Sequence, residues 1–455
     1  MKEKNRKITP TQVIILGFFV TILIGALLLK LPISNTKQIS TLDAIFTSIT
    51  STCVTGLTTV TLSEQFTTFG QVIIMLLVQI GGLGFMVFIS LLLIIFGKKI
   101  TLKERILISQ SLNQNSLKGM AKLTKTIFKY TLTFEIIGAL LLATFFVPIY
   151  GWGEGLFQSI FHAVSAFCNA GVDILPHNSS FIELREVPLV NLVICSLTII
   201  GGLGFFVWSD IENCVIKGIK EKHSIKRICS SFSLHTKIVL IVTFILLLTG
   251  TIFIYMLEAD NILSDLSTSN KWIASFFQST QSRTSGMSTV DLGEVHNCTK
   301  LIISILMIIG GAPGSTAGGI KIVTFAIILL SILSSIKGKK HLNVYRKEIP
   351  TETVNKAFVI LGVALIVIIT SMIFLVMFEP DIMPIDLLFE CVSAYATVGL
   401  STGITSALTL SSKIIIMFLM FIGRVGTITM AVLFIIEKPK NEDSIRYANE
   451  NVMIG

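Results

Sequence analysis

Four short segments end in glycine and are rich in small or hydroxyl-bearing residues. They are Thr52-Cys53-Val54-Thr55-Gly56, Phe167-Cys168-Asn169-Ala170-Gly171, Arg283-Thr284-Ser285-Gly286 and Ala396-Thr397-Val398-Gly399. None contains a carboxylate, so the chemistry they offer resides in the backbone. A ring of carbonyl oxygens can replace the hydration shell of an alkali cation. Glycine at the end of each segment permits the backbone angles needed to turn successive carbonyls toward one axis. The candidate cation-binding positions are Val54, Thr55 and Gly56; Asn169, Ala170 and Gly171; Thr284, Ser285 and Gly286; and Thr397, Val398 and Gly399. The missing carboxylate ring argues against a calcium-type site.

Other chemistries lack their residues. The cysteines are Cys53, Cys168, Cys195, Cys214, Cys229, Cys298 and Cys391, and no pair has metal-ligand spacing. Their number is odd and most lie in or beside apolar runs, which disfavours a disulfide framework or a zinc site. The histidines are scattered, with no HExxH helix. No GxxxxGK[ST] is present, nor a GxGxxG after a strand. No catalytic constellation is visible, and the chain reads as a non-enzyme without an organic cofactor.

The segments need elements that carry them to membrane depth. Each follows a short, semi-apolar stretch: 41–50, 156–167, 270–282 and 386–395. These are too short to cross a bilayer and read as re-entrant half-helices. Their negative C-terminal ends face the candidate site, which favours a cation. Asp43 and Asp386 are expected to cap the opposite ends. Eight apolar stretches are long enough to span: 12–31, 71–96, 127–149, 189–208, 238–257, 301–333, 354–378 and 414–436. The composition agrees, with 52% hydrophobic and 14% charged residues and a mean hydropathy of +0.82. A soluble domain carries about 25% charged residues. Ordinary soluble enzymes, disordered tails and nucleic-acid modules are thereby excluded. The first apolar run is too long for a signal peptide and reads as the first span.

The segment glycines Gly56, Gly171, Gly286 and Gly399 are separated by 115, 115 and 113 residues. A second landmark follows each. Ile80-Gly81-Gly82-Leu83-Gly84-Phe85 and Ile200-Gly201-Gly202-Leu203-Gly204-Phe205 are identical, and 309–314 and 422–427 are variants. The expected fold is an all-α polytopic membrane protein. Its four parallel span–half-helix–span repeats surround a central pore, with boundaries at 1–100, 101–216, 217–340 and 341–455. Two spans per copy keep every repeat the same way up, unlike an inverted repeat.

Lysine and arginine concentrate in alternate connections: Lys2–Lys7, 98–125, 217–227, 337–347 and 438–446. The positive-inside bias makes both termini cytoplasmic and all half-helices external, in a multi-pass cell-membrane protein. The net charge of +9 is assigned to this bias, and nucleic acid is not expected as a partner. The surrounding lipid is.

The sixth span is interrupted by Gly310, Gly311, Ala312, Pro313, Gly314, Ser315, Thr316, Ala317, Gly318 and Gly319. Glycine and proline at that density break a helix. By itself this is a flexible break beneath the glycine segments. Arg424 lies in the eighth span, where an arginine is costly and usually functional. It can repel a cation, bond loop carbonyls, or pair with Glu135. Glu135 otherwise satisfies a polar neighbour, Glu390 is a buried brace behind the glycine segment, His162 is a satisfied structural histidine of the second half-helix, and Lys321 snorkels toward the cytoplasm. Gly81-Gly82 and Gly201-Gly202 are expected to serve close packing.

The four segment glycines, the broken sixth span and Gly423-Arg424-Val425-Gly426 together resemble the Trk/Ktr/HKT superfamily of potassium transporters. Within it the chain is most similar to the bacterial KtrB-type membrane subunits. The resemblance covers nearly the whole chain. It implies potassium uptake through a four-glycine selectivity filter, with the 310–319 loop and Arg424 as the gate. In HKT relatives a serine at the first filter glycine accompanies sodium preference, whereas Gly56 is glycine here. A sodium-selective or poorly selective pore of the same fold is the alternative. The resemblance also implies a homodimer and a cytosolic ring of Rossmann-type regulatory (RCK) subunits binding ATP or ADP. The loops at 98–125, 217–227 and 337–347 are the expected docking surface.

Overall fold

The structure is a computed structural model that describes residues 10–95, 101–111, 120–175, 180–339 and 341–426. The basic N-terminus, parts of the basic connections and the last span beyond Gly426 lie outside the described residues.

The first repeat contains α1 (Pro10–Leu29), α2 (Thr41–Cys53), the short α3 (Leu62–Gln65), α4 (Thr68–Leu83) and α5 (Phe85–Ile95). The second contains α6 (Leu102–Ser111), α7 (Met120–Cys168), α8 (Pro188–Leu203) and α9 (Phe205–Lys220). In α7 the span and its half-helix run together, and the chain turns between them at Gly151, φ +80°. The third contains α10 (Ile225–Ser231), α11 (Leu234–Glu258), α12 (Thr268–Gln281), α13 (Asn297–Ile308) and α14 (Ile322–Ile336). A small antiparallel hairpin of β1 (Asn343–Val344) and β2 (Lys347–Glu348) precedes α15 (Thr351–Phe378), α16 (Pro384–Ala396) and α17 (Leu410–Val425). The half-helices are thus α2, the end of α7, α12 and α16.

The expected spans 71–96 and 189–208 are not continuous helices. Between α4 and α5 the axis bends by 102°, and between α8 and α9 by 91°. The cause is one residue in each. Gly84 has φ +84° and Gly204 has φ +89°, and a right-handed helix cannot continue through such angles. At the matching place of the fourth landmark Gly426 is also positive, at +96°, and α17 ends there, whereas the third landmark has Pro313 there, followed by Gly314 at +68°. The second spans of the first two repeats therefore turn at the same position. In the third the turn widens into the 309–321 break between α13 and α14.

The repeats close around an axis. α4 packs on α7, α8 on α12, α13 on α16, and α17 returns to α2. The main core follows this closure, joining Phe46 and Leu57 of the first repeat to Met307, Leu387, Leu400 and Leu419.

The half-helix N-termini differ from expectation. Ser40 caps α2 by accepting from the Asp43 amide at 3.1 Å, while Asp43 accepts from the Ser40 and Thr59 hydroxyls at 2.6 and 2.7 Å. Asp43 sits in the first turn, where it can only reach back. α16 begins with Pro384 and has no side-chain cap. Asp386 instead accepts from Lys300 Nζ of α13 at 2.8 Å in a buried ion pair.

Candidate cation path and gate

The four glycine segments meet. A Cβ added to Gly56 would lie 2.8 Å from the Ala170 carbonyl and 3.1 Å from Gly171 Cα. One added to Gly171 would strike the Ser285 carbonyl, one on Gly286 the Val398 carbonyl, and one on Gly399 the Thr55 carbonyl. Each glycine thus leans on the next repeat, and the fourth returns to the first. All four have positive φ, from +64° to +101°, so both space and conformation require glycine. The carbonyls brought together belong to residues named by their sequence spacing alone.

Local bonds fix each segment to its own half-helix. The Gly56 amide donates to Thr50 Oγ1 and the Gly399 amide to Ser393 Oγ, each at 3.0 Å. The Val172 amide donates to Ser165 Oγ at 3.1 Å. These hydroxyls all stand six residues before the segment glycine. In the third repeat the Gly286 amide donates to the Gln281 carbonyl instead. Val54, Asn169 and Thr397, each two before the glycine, take positive φ of 57°, 58° and 51°. Thr284, the third-repeat equivalent, does not. Left-handed β-branched residues are uncommon and store strain, a feature that residue type alone did not reveal.

The braces lie where expected. His162 Nδ1 approaches the Gln158 carbonyl at 2.8 Å and the Ile174 amide approaches Nε2 at 3.5 Å. Glu390, at the matching place in α16, accepts from Ser401 and from Thr405. Gly81, Gly201 and Gly423 pack on the carbonyls of Thr52, Phe167 and Tyr395, each four before its glycine. Close packing is therefore their role.

The 309–321 loop lies against the segments. The Gly310 amide donates to the Ile320 carbonyl at 2.9 Å, closing the loop base. The Ala312 amide donates to the Gly202 carbonyl and the Phe205 amide to the Gly314 carbonyl, each at 2.9 Å. Gly318 and Gly319 abut Thr397 and the Ala396 carbonyl, and Gly311 abuts Ala317 and the Gly202 carbonyl. Thr316 and Ala317 are buried, whereas Pro313, Gly314 and Ser315 are half-buried.

Arg424 holds this loop. Its Nη1 donates to the Thr316 carbonyl at 2.6 Å, and its Nη2 donates to the carbonyls of Gly81 and Gly82. It does not pair with Glu135, whose carboxylate accepts from Gln79 Nε2 at 3.3 Å. The Lys321 ammonium donates to the Ala317 carbonyl at 2.6 Å. Two further cations escaped the sequence reading. Lys300 pairs with Asp386, and Arg283 is buried directly before Thr284 with no ion pair among the described residues. Arg283 stood in plain view within a glycine segment. Nothing in the sequence signalled that Lys300 reaches Asp386.

Four buried hydroxyls in the segments, Thr52, Thr55, Ser285 and Thr397, have no hydrogen-bond partner among the described residues. Buried polar groups are normally hydrogen-bonded, so these mark a polar lining. No group of acids, histidines and cysteines suited to a metal occurs among the described residues.

Comparison with known proteins places the chain in a family. The TrkH model, described as a cation transport protein, matches residues 2–444. The Ktr system potassium uptake protein B of Bacillus subtilis is 42% identical over 99% of this chain and 97% of its own length. The potassium/sodium uptake protein NtpJ of Enterococcus hirae is 37% identical, covering 100% of this chain and 99% of that protein. The crystal structure of the potassium transporter TrkH from Vibrio parahaemolyticus superimposes with a TM-score of 0.73. It covers 95% of this chain and 86% of that one at 17% identity, a likeness of fold. The chain is a multi-pass membrane transporter, not an enzyme, and belongs to the TrkH family of cation transport proteins.

Proposed function

We propose that this protein takes up potassium across the cell membrane through a channel-like pore, with Gly56, Gly171, Gly286 and Gly399 as its selectivity filter. The observation that carries the reading is the closed succession of glycine contacts from repeat to repeat. Rings of carbonyls on one axis select an alkali cation by replacing its hydration shell. The unpartnered Thr55, Ser285 and Thr397 hydroxyls add polarity, and the half-helix C-termini add negative potential. The relatives named for potassium uptake support the choice of ion.

The 310–319 loop and Arg424 act as the gate. The loop crosses beneath the segments, and the arginine holds it there by hydrogen bonds to Thr316, Gly81 and Gly82. Both termini face the cytoplasm. A homodimer of this chain is controlled by a separate cytosolic ring of Rossmann-type subunits that binds ATP or ADP. Docking would use the basic connections.

Rubidium uptake into potassium-starved cells tests the reading. Expression of this chain is expected to confer uptake, and Gly286→Asp to abolish it by placing a carboxylate against the Val398 carbonyl. No uptake, or full uptake by the variant, would overturn it. The potassium/sodium name of the Enterococcus hirae relative favours a second reading, a poorly selective monovalent cation pore. Equal inhibition of rubidium uptake by sodium and by potassium would establish that one.

A further inference from the structure

The loop and two adjacent glycine segments are joined by a run of side-chain hydrogen bonds that blocking the path alone does not require. Asn169 Nδ2 donates to Thr316 Oγ1 at 2.7 Å. The Thr316 hydroxyl donates in turn to the Phe167 carbonyl at 3.0 Å. Thr284 Oγ1 donates to Asn169 Oδ1 at 2.8 Å. All three side chains are buried.

Asn169 and Thr284 each stand two residues before their segment glycine. One amide therefore ties the second segment to the third, and both to the loop. This is not a property of the repeat. The equivalent residue is Val54 in the first segment, and in the fourth it is Thr397, whose hydroxyl has no partner among the described residues. Asn169 also holds φ +58°, which asparagine tolerates better than most residues. Thr316 is the most heavily bonded loop residue at this junction. Its carbonyl accepts from Arg424 and its amide donates to the Gly201 carbonyl at 3.4 Å.

We propose that Thr316 and Asn169 are positioning residues that make cation preference depend on the loop. With the loop in place, Thr316 fixes Asn169 and the Phe167 carbonyl, and Asn169 fixes Thr284. When the loop leaves, the second and third segments lose these restraints together. A carbonyl ring discriminates between cations by its size, stiffness and field strength, so the displaced state discriminates less. Coupling of this kind is reciprocal: the cation in the segments biases the loop. The inference rests on the potassium-path reading above.

Rubidium uptake by proteoliposomes of the full chain, measured against increasing sodium, tests it. Thr316→Val and Asn169→Ala are each expected to lower the rubidium-to-sodium preference roughly threefold to tenfold, the worth of one buried hydrogen bond. The double variant should fall no further than either single one. Thr316→Ser, which keeps the hydroxyl, should retain the original preference. Thr316→Ala covers the case in which valine does not pack. Raised flux with unchanged preference in the Thr316 variants would overturn the coupling, as would multiplicative effects in the double variant. Either result would leave potassium uptake intact. Absence of rubidium uptake by the unaltered chain would instead remove the underlying reading and the coupling with it.

Discussion

At the scale of single residues, the charged side chains inside the bundle do three different jobs. Lys300 and Asp386 form a buried ion pair between α13 and the first turn of α16. Breaking such a pair leaves an uncompensated buried charge and costs about 3–5 kcal/mol. Lys300→Met is expected to lower the thermal midpoint in detergent sharply, and adding Asp386→Asn to recover much of it. Arg424 has no carboxylate partner among the described residues, and its guanidinium donates to carbonyls of the loop and of α4. A hydrogen bond to a charged group contributes about 1.5–3 kcal/mol. Arg424→Ala should release the loop and raise basal rubidium flux several-fold without the regulatory partner; unchanged flux would remove the arginine from the gate. Glu135, bonded to Gln79 within the protein, holds neither. The sequence marked Arg424 and Glu135 as unusual because a charge at membrane depth is unusual. It could not say which of several polar neighbours each would meet.

At the scale of elements, the recurrent feature is a second span that turns. Gly84, Gly204, Gly314 and Gly426 share positive φ. The landmark glycines were legible in the sequence, but their division of labour was not. The first of each landmark packs on a half-helix carbonyl in three repeats, whereas Gly84 and Gly204 bend the chain. Apolar character continues through 71–96 without a break, so hydropathy cannot reveal a bend made by one φ angle. The two bends also separate in energy. A Cβ at Gly84 would meet nothing within 4 Å, whereas at Gly204 it would lie 3.0 Å from the Pro313 carbonyl of the loop. Gly84→Ala should carry only the backbone cost, about 1–3 kcal/mol. Gly204→Ala should carry that cost plus disturbance of the loop. Thermal midpoints of the two variants, compared in one detergent, are expected to be lower for Gly204→Ala.

At the scale of the whole molecule, four unequal copies make one axis. The third is the most divergent: its second span is broken, its glycine segment carries Arg283, and Thr284 keeps φ out of the left-handed region. The loop from this copy reaches the other three, meeting Gly202 and Phe167 in the second, Thr397 and Arg424 in the fourth, and through Arg424 the first. A segment anchored on all sides holds only while its anchors hold. Deletion of 312–316 removes the anchor residue Thr316 and should raise rubidium flux and weaken dependence on the proposed regulatory ring. Uptake at the original rate would show that the loop does not limit flux.

The sequence by itself determined the class of protein, the repeat, the glycine segments that meet and the position of the break. These depend on composition, on counting, and on glycine and proline chemistry, all of which are local or periodic. Tertiary structure alone decided the partners: Asp386 with Lys300 rather than its own helix end, Arg424 with carbonyls rather than Glu135, and Asn169 with Thr316 and Thr284. The physical reason is distance along the chain. Asn169 and Thr316 are 147 residues apart and Arg424 and Gly81 are 343. Four similar repeats offer each polar side chain several equivalent neighbours, and only closure of the ring selects among them.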